Sequence, residues 1–297
     1  MSEYRPDKKR VAQSFSAAAE HYDDVAVLQR QTADELLERL SYITIEPQTI
    51  VDLGAGTGRN LSLLQKRYPH AQLVAVDIAP QMLKQAEKRY RHDQGIKRWL
   101  PKQKRLQVLA GDAEAIPLAD NSVDLIYANL ALQWCDPKRC FSEIFRVLKP
   151  QGLLMFTSLG PDTLTELRQA WAEVDTYPHV NLFYDMHDVG DAMTASGLAD
   201  CVLDMEPYTL SYNDAMSVMR DLKILGARNV NEGRRRGLTG KQLMQKVVSA
   251  YETFRQADGL PASYEVIFGH AWKLAQSGQC RTDDESVYIP ISEIKRL

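Results

Sequence analysis

The stretch VDLGAGTGRN, residues 51–60, decides the fold of this chain. An apolar run leads into Gly54, Gly56 and Gly58, and an amphipathic segment follows directly. This order predicts a buried strand, a tight turn and a helix, which is the repeating unit of doubly wound α/β sheets. Glycines in such a turn remove side chains where a ligand must approach the backbone closely. The stretch therefore predicts a ligand site at the carboxyl end of the first strand.

The spacing of these glycines narrows the choice of ligand. They stand at i, i+2 and i+4, whereas the dinucleotide fingerprint needs its third glycine at i+5, where this chain has Arg59. The phosphate-binding loop of nucleotide hydrolases is also excluded, because no Gly-Lys-Ser/Thr sequence follows. The pattern favours a nucleoside-containing ligand without phosphate.

Further apolar runs at regular intervals predict a parallel sheet, because amphipathic segments with helical periodicity separate them. Pro80 predicts the start of one helix, and the pair Pro150-Gly152 predicts the end of another. We expect an α/β fold with a seven-stranded, mostly parallel sheet and helices on both faces. Its strands are TIVDLG (49–54), AQLVAVDI (71–78), LQVLAGD (106–112), VDLIYAN (123–129), GLLMFTSL (152–159), CVLDMEPYTLSY (201–212) and YEVIFGHAWKL (264–274).

The segments around this sheet suggest a single domain with additions. Residues 1–46 predict an N-terminal gate of two helices, and residues 213–259 predict a helical cap inserted before the last strand. The core is then formed by residues 47–212 and 260–279, and residues 280–297 form a tail. A basic insertion at 92–105 interrupts the unit between the second and third strands, and the sequence gives no reason for it.

Composition excludes several classes of protein. The 297 residues include 36 Lys and Arg against 39 Asp and Glu, a formal net charge of -3 that argues against a dedicated nucleic-acid binder. No apolar run approaches the ~20 residues that span a bilayer, and the polar start MSEYRPDKKR is unlike a signal peptide. The four cysteines show no metal-binding or disulfide spacing. We expect a cytoplasmic protein with reduced thiols and no metal, membrane or nucleic-acid partner.

Three aspartates lie where doubly wound sheets bind ligands. Asp77 ends the second strand about 20 residues after the glycines, where a carboxylate accepts hydrogen bonds from ribose hydroxyls. Asp112 ends the third strand, where an adenine amino group would lie, and Asp52 sits below the turn near a ligand ammonium. Such a set suits S-adenosylmethionine, a cation with free ribose, adenine and amino-acid ends. Each aspartate alone is also explained as a helix cap or a turn residue.

Residues 48–160 resemble the class I S-adenosylmethionine-dependent methyltransferases, with DLGAGTG as the first motif, VAVD as the second and GDAEAIPL as the third. The resemblance implies a Rossmann-like fold, S-adenosylmethionine as methyl donor and S-adenosylhomocysteine as product. It places the glycines at the methionine moiety, Asp77 at the ribose, Asp112 with Ala113 at the adenine, and Asn129 facing the cofactor. The cofactor residues expected in all are Asp52, Gly54, Gly56, Gly58, Asp77, Ile78, Met82, Asp112, Ala113 and Asn129.

The flanking segments carry a more specific resemblance. They are similar to the malonyl-acyl-carrier-protein O-methyltransferases of biotin synthesis, which implies methyl esterification of a malonyl group on the phosphopantetheine arm of acyl-carrier protein. Two alternatives stay open: a methyltransferase for a small free carboxylic acid, and an assembly factor acting on a protein partner. The segments are FSAAAEHYDDVAVLQ (15–29), TSLGPDTLTELRQAW (157–171), LKILGARNVNEGRRRGLTGK (222–241) and LPASYEVIFGHAW (260–272).

Esterification of a carboxylate needs no general base, because a carboxyl group with a pKa near ~4 is already ionised at neutral pH. We expect Tyr22 to orient the acceptor carboxylate, with a merely structural anchor as the alternative. Arg168 is a candidate partner for the acceptor carboxylate. The alternative is that it is an ordinary solvent-exposed arginine on a helix. Phe183 is a candidate for an apolar wall near the methyl group, with core packing as the alternative. None of the histidines has metal-ligand spacing.

Basic residues concentrate in two regions of an otherwise acidic chain. Residues 218–246 and 89–105 each carry a net charge of +6, which leaves -15 for the rest. We predict that the first region docks acidic acyl-carrier protein through Arg228, Arg234, Arg235 and Arg236. An ordinary solvated helix face is the alternative. RNA is not supported as the partner, because no aromatic residues interleave for base stacking.

Overall fold

Seven strands form one sheet in the computed structural model, which describes residues 6–95, 106–231 and 239–275 together with Gly233 and Gly237. The strands are β1 (Thr49–Leu53), β2 (Gln72–Asp77), β3 (Leu106–Ala110), β4 (Val123–Ala128), β5 (Leu148–Leu159), β6 (Ala199–Tyr212) and β7 (Leu260–Lys273). Their order across the sheet is β3-β2-β1-β4-β5-β7-β6. Strands β1 to β5 pair in parallel, and β7 runs antiparallel to both of its neighbours. The predicted seven-stranded, mostly parallel α/β fold is confirmed.

Helices cover both faces of this sheet. Those in the described part of the chain are α1 (Lys8–Ala18), α2 (Tyr22–Val25), α3 (Val27–Arg39), α4 (Arg59–Arg67), α5 (Pro80–Asp93), α6 (Pro137–Val147), α7 (Thr165–Ala172), α8 (Met186–Ala195), α9 (Ala215–Ile224) and α10 (Lys241–Glu252). Among the described residues, no helix combines the length and the apolar character that crossing a bilayer requires.

The core lies on both sides of the sheet, because successive residues of a strand point to opposite faces. In β4, Leu125 and Tyr127 pack in one hydrophobic cluster, and Ile126 and Ala128 pack in the other. All four side chains are inaccessible to solvent. Burial on both faces explains why central strands such as β4 appear in the sequence as apolar runs, whereas β6 at the edge of the sheet has an alternating burial pattern.

Two sequence expectations about element boundaries were wrong. The N-terminal segment forms three helices rather than two, since the chain is interrupted between α1 and α2 and again at Ala26. Helix α6 ends at Val147, before Pro150, and β5 begins at Leu148 rather than at Gly152. The register between β4 and β5 shifts at this point, and Pro150, which has no backbone N–H to donate, lies within the irregularity.

The elements outside the central α/β units lie before β1 and between β6 and β7. Helices α1 to α3 precede the sheet, and α9 and α10 connect its last two strands. The division of the chain into gate, core, cap and tail stays a prediction. The tail from 280 onward and most of the basic insertion, residues 96–105, lie outside the described residues.

Candidate active site

The glycine turn after β1 has a left-handed backbone at all three glycines. A Cβ on Gly54 would lie 2.3 Å from the Cβ of Ala131, and one on Gly58, the N-cap of α4, would lie 2.7 Å from Ala86 on α5. Both positions therefore require glycine for close packing. Gly56 differs, because a Cβ there would meet no atom within 4 Å.

A first cavity opens beside Gly56, at the carboxyl ends of β1, β2, β3 and β4. Its walls include eight of the ten predicted cofactor residues: Gly54, Gly56, Asp77, Ile78, Met82, Asp112, Ala113 and Asn129. The other two, Asp52 and Gly58, lie outside the lining. The side chain of Asn129 is held by Thr32, Thr157 and the carbonyl of Gln29, so it also fastens α3 to the end of β4.

Asp77 is built into the turn rather than projecting freely from β2. Its Oδ2 atom accepts a hydrogen bond from the Gly56 N–H at 2.8 Å, and its Oδ1 atom accepts one from the Ala79 N–H at 2.8 Å. Burial raises the pKa of this carboxyl group, and the two backbone donors oppose the rise. Asp77 therefore joins the glycine turn to the start of α5 at the edge of the first cavity.

Asp52 lies beneath the turn and is 2% exposed. Its Oδ2 atom is buried and has no hydrogen-bond partner among the described residues. Burial, followed by the nearby charge of Asp77, raises the pKa of Asp52 to about 7. A buried carboxylate without a donor is costly unless a cation or a donor from a ligand approaches it.

Lys8 on α1 is a residue of the first cavity that the sequence did not point to. Its Nζ atom lies 2.8 Å from Asp112 Oδ1, 2.8 Å from Glu114 Oε1 and 3.4 Å from Cys135 Sγ. Asp112, Glu114 and Cys135 bring their ligand atoms within 4.8 Å of one another, a spacing that also suits a metal ion. Here the positive charge beside them is the ammonium group of Lys8.

A second cavity adjoins the first. The two share Phe15, Tyr22, Leu130 and Trp134 in their walls. The Phe15 ring meets Tyr22 and Trp134 edge-on, with centroid distances of 6.5 and 5.3 Å. Apolar side chains form most of the remaining wall, and they come from α2, α3, α7, α9, β5, β6, β7 and the segments between them. Ligands bound in the two cavities would therefore meet at this aromatic cluster.

The Tyr22 hydroxyl, which lies on both cavities, makes no hydrogen bond to any described residue. Burial, followed by the charges of Asp77 and Asp23, raises the pKa of Tyr22 far above its usual value. The side chain therefore stays a neutral phenol at physiological pH, with a proton to donate to a ligand.

Two leucines in the wall of the second cavity have a strained backbone. Leu130 has φ +46° and Leu164 has φ +55°, in the left-handed region that non-glycine residues rarely adopt. The Leu130 N–H donates to Thr157 Oγ1 and the Leu164 N–H donates to the Ser263 carbonyl. Strain of about 1–3 kcal/mol per residue persists only where surrounding structure enforces it, and it clusters at functional sites.

Polar side chains of the second cavity were also not predicted from the sequence. His179 stacks on Trp171 at a centroid distance of 3.5 Å, and its Nε2 atom is 2.8 Å from Asp175 Oδ1. Gln133 is 7% exposed, and its Oε1 atom has no partner among the described residues. Scattered histidines and glutamines carry no periodic signal, so only the folded chain brings them together.

The predicted substrate residues are spread over different environments. Phe183 lines the second cavity. Arg168 donates to the Thr163 carbonyl at 3.1 Å, lies outside the lining, and has its pKa lowered by burial. Arg228 is exposed, between Ala227 and Asn229 of the cavity wall. The basic run 234–236 lies outside the described residues.

Comparisons with known proteins agree with this architecture. A family profile described as "Methyltransferase domain" matches residues 51–156. The YcgJ protein of Bacillus subtilis has a similar fold, with a TM-score of 0.56 and 17% identity over 83% of this chain and 99% of that one. Phosphoethanolamine N-methyltransferase 2 of Haemonchus contortus, solved in complex with S-adenosyl-L-methionine, gives a TM-score of 0.50 and 17% identity over 82% of this chain and 53% of that one.

Sequence similarity to one group of curated proteins extends well beyond that domain. The malonyl-[acyl-carrier protein] O-methyltransferase of Nitrosospira multiformis is 49% identical over 292 residues, which cover 95% of this chain and 94% of that protein. The aligned region is therefore much longer than residues 51–156, which the family profile matches. The chain belongs to the malonyl-[acyl-carrier protein] O-methyltransferase family.

Proposed function

We propose that this protein transfers the methyl group of S-adenosylmethionine to the free carboxylate of a malonyl group carried on acyl-carrier protein. The products are the methyl ester and S-adenosylhomocysteine, and the step belongs to the early part of biotin synthesis. The observation that carries the proposal is the 49% identity to a malonyl-[acyl-carrier protein] O-methyltransferase across 95% of the chain. The proposed location is the cytoplasm, in keeping with the free thiols of Cys135, Cys140 and Cys201.

We assign S-adenosylmethionine to the first cavity because of the polar groups in its wall. When bound, S-adenosylmethionine supplies an electrophilic methyl group on a sulfonium. Gly56 leaves room for close approach to the backbone, and Asp77 offers the remaining lone pairs of its carboxylate to ribose hydroxyls. The unpartnered Oδ2 atom of Asp52 suits a ligand cation above the turn. At Asp112, Lys8 and the Glu114 N–H occupy Oδ1, so Oδ2 is the atom we assign to the adenine amino group.

The second cavity is proposed to hold the malonyl group with its carboxylate at the aromatic cluster. There Tyr22 donates a hydrogen bond to one carboxylate oxygen and leaves the other to attack. No residue has to remove a proton, because the acceptor is already ionised. The main contribution of the cavity walls to catalysis is to align the attacking oxygen with the methyl carbon. Such proximity effects lower the activation barrier by roughly 7–11 kcal/mol in well-oriented systems.

The carrier protein is proposed to dock where α9 ends and the wall of the second cavity begins. Described basic side chains exposed on this side include Lys223 and Arg228. Arg228 stands between Ala227 and Asn229, which both line the cavity, so its charge lies at the cavity edge. An acidic carrier would be attracted to these groups while its arm reaches inward, and the attraction would weaken with salt.

A comparison of carrier-bound and carrier-free malonyl thioester tests the proposal. We expect a much higher kcat/KM for malonyl-acyl-carrier protein than for a short malonyl thioester, and a decline of this advantage with salt. Equal turnover of both would favour a small-acid methyltransferase. Tight binding of S-adenosylhomocysteine without any methyl ester would favour an assembly factor with a methyltransferase fold.

A further inference from the structure

His179 lies in the wall of the second cavity and outside the wall of the first. Its side chain is 12% exposed, and its ring stacks on the Trp171 indole at a centroid distance of 3.5 Å and an interplanar angle of 6°. Its Nε2 atom lies 2.8 Å from Asp175 Oδ1. One residue of α7 and one residue just after that helix therefore fix the plane of the ring and one of its two nitrogens.

Asparagine side chains also hold the backbone on either side of His179. Asn229 Nδ2 donates to the Pro178 carbonyl, and Asn231 Nδ2 donates to the Val180 carbonyl. A side chain fixed by its own contacts and by its neighbours is preorganised, because ligand binding does not have to order it. The ring is therefore held in place at the cavity wall.

The hydrogen bond to Asp175 decides what the other ring nitrogen can offer. A carboxylate can only accept, so His179 donates its Nε2–H to Asp175. No hydrogen bond joins Nδ1 to a described residue. In the protonated ring Nδ1 also carries a hydrogen, with the Asp175 carboxylate opposite as its counter-charge. The ring then presents a charged donor to an acceptor on a ligand.

The composition of the wall makes this donor distinctive. The described residues that line the second cavity include no lysine and no arginine, so His179 is the side chain among them that can carry a positive charge. Hydrogen bonds from charged donors are stronger than those from neutral ones. An acyl ligand with a carbonyl oxygen near His179 would therefore gain its strongest polar contact within this wall there.

The position of His179 selects the part of the ligand that it meets, and this step rests on the proposed function. The reacting carboxylate belongs at the aromatic cluster that both cavities share, whereas His179 lines the second cavity alone. A malonyl thioester has one further carbonyl, separated from the carboxylate by a single methylene. We propose that His179 binds the malonyl thioester through a hydrogen bond from Nδ1 to this thioester carbonyl. His179 thereby selects a malonyl group over acids that lack the second carbonyl.

Calorimetry with two ligands that differ at one group tests the proposal. The probes are malonyl-pantetheine and its thioether analogue, in which a methylene replaces the thioester carbonyl. Each is titrated into the full-length protein saturated with S-adenosylhomocysteine. We expect the wild type to bind malonyl-pantetheine about tenfold more tightly, because the analogue cannot accept the hydrogen bond from the charged donor. Equal affinities, or no binding of malonyl-pantetheine, would overturn the proposal.

Variants separate contact with the ligand from support of the structure. His179→Phe should weaken binding of malonyl-pantetheine about tenfold and leave binding of the thioether unchanged. His179→Gln keeps a donor and should retain part of the preference. Tyr264→Phe is the matched control, because Tyr264 is another buried side chain with a hydroxyl in the wall of the second cavity, and it should keep the full preference. Equal weakening of both ligands by His179→Phe, or loss of the preference in Tyr264→Phe, would overturn the proposal.

Mass spectrometry of malonyl-acyl-carrier protein scores methyl transfer separately from these affinities. A preference that follows His179 without any methyl ester contradicts the proposed function and supports the contact at His179. A methyl ester together with a preference that does not depend on His179 supports the proposed function and overturns this proposal.

Discussion

The Nζ atom of Lys8 lies 2.8 Å from the Oδ1 atom of Asp112, and this ion pair ties the first helix to the end of β3 across the first cavity. The two residues are 104 positions apart in the chain. We therefore predict that cofactor binding and the position of α1 are coupled through the side chain of Lys8.

Replacing Lys8 by Met should weaken binding of S-adenosylhomocysteine. The substitution releases α1 and leaves the carboxylates of Asp112 and Glu114 facing each other without a cation. Since both partners are about a quarter exposed, the loss should be modest, about 1 kcal/mol or fivefold in Kd. Calorimetry measures it, with Lys9→Met as the control of equal charge change. Unchanged or tighter binding in Lys8→Met would refute the coupling.

Replacing Asp77 by Ala should remove measurable cofactor binding and also lower stability. The variant leaves the N–H groups of Gly56 and Ala79 without their acceptor, which costs about 1–3 kcal/mol for each group that stays buried. Thermal denaturation and calorimetry together separate the two effects. Glu87→Ala, on the exposed face of α5, is the control. Retained affinity in a folded Asp77→Ala protein would contradict the assignment of Asp77 to the ribose.

Binding of S-adenosylhomocysteine should strengthen as pH rises from 6 to 8. In the unliganded protein the pKa of Asp52 is about 7, well above its usual value, so the carboxyl group is largely protonated at the lower pH. A ligand cation above the turn favours the ionised form, and binding must then release a proton. Calorimetry in buffers of different ionisation enthalpy detects that release. Asp52→Asn should flatten the pH dependence, and a slope equal to that of the wild type would exclude Asp52 as its source.

Asp52 should also influence the stability of the unliganded protein. Because its folded pKa lies above its unfolded value, the folded state binds the extra proton, and stability from this group is lost as pH rises from about 4 to about 7. Asp52→Asn should therefore raise Tm relative to the wild type more at pH 8 than at pH 5. An equal difference at both pH values would contradict the raised pKa.

Replacing Tyr22 by Phe should lower kcat for methyl transfer and leave cofactor affinity nearly unchanged. The ring keeps its place against Phe15, and only the donor to the acceptor carboxylate is lost. Hydrogen bonds to charged groups contribute about 1.5–3 kcal/mol, so a decrease of roughly 10- to 100-fold is expected. Tyr42→Phe, at a side chain that is 79% exposed, is the matched control. A kcat equal to that of the wild type in Tyr22→Phe would contradict the proposed orienting role of Tyr22.

The cofactor side of the site was accessible from the sequence because its residues are set by local geometry. Parallel strands end at one edge of the sheet, so residues directly after the strands, such as Gly54, Asp77 and Asp112, must come together. Eight of the ten expected residues line one cavity for this reason. Gly58 instead serves the packing of α4 against α5.

Other residues in and around the two cavities depend on contacts that no local sequence pattern encodes. Lys8 appears in a polar N-terminal run, and only the fold places it beside Cys135, 127 positions away. His179 gains its meaning from Trp171 and Asp175. Arg168 shows the converse, because helical periodicity cannot tell whether an arginine faces a cavity or a neighbouring carbonyl. Sequence similarity supplied the substrate class that geometry alone does not specify.

The central claim is that the carboxylate of malonyl-acyl-carrier protein receives the methyl group. Mass spectrometry of intact malonyl-acyl-carrier protein, after incubation with the enzyme and S-adenosylmethionine, tests it most directly. We expect a mass gain of one methyl group that is lost on mild ester hydrolysis, and no gain on carrier protein without the malonyl group. An unmodified malonyl carrier, from enzyme that binds S-adenosylhomocysteine normally, would contradict the account.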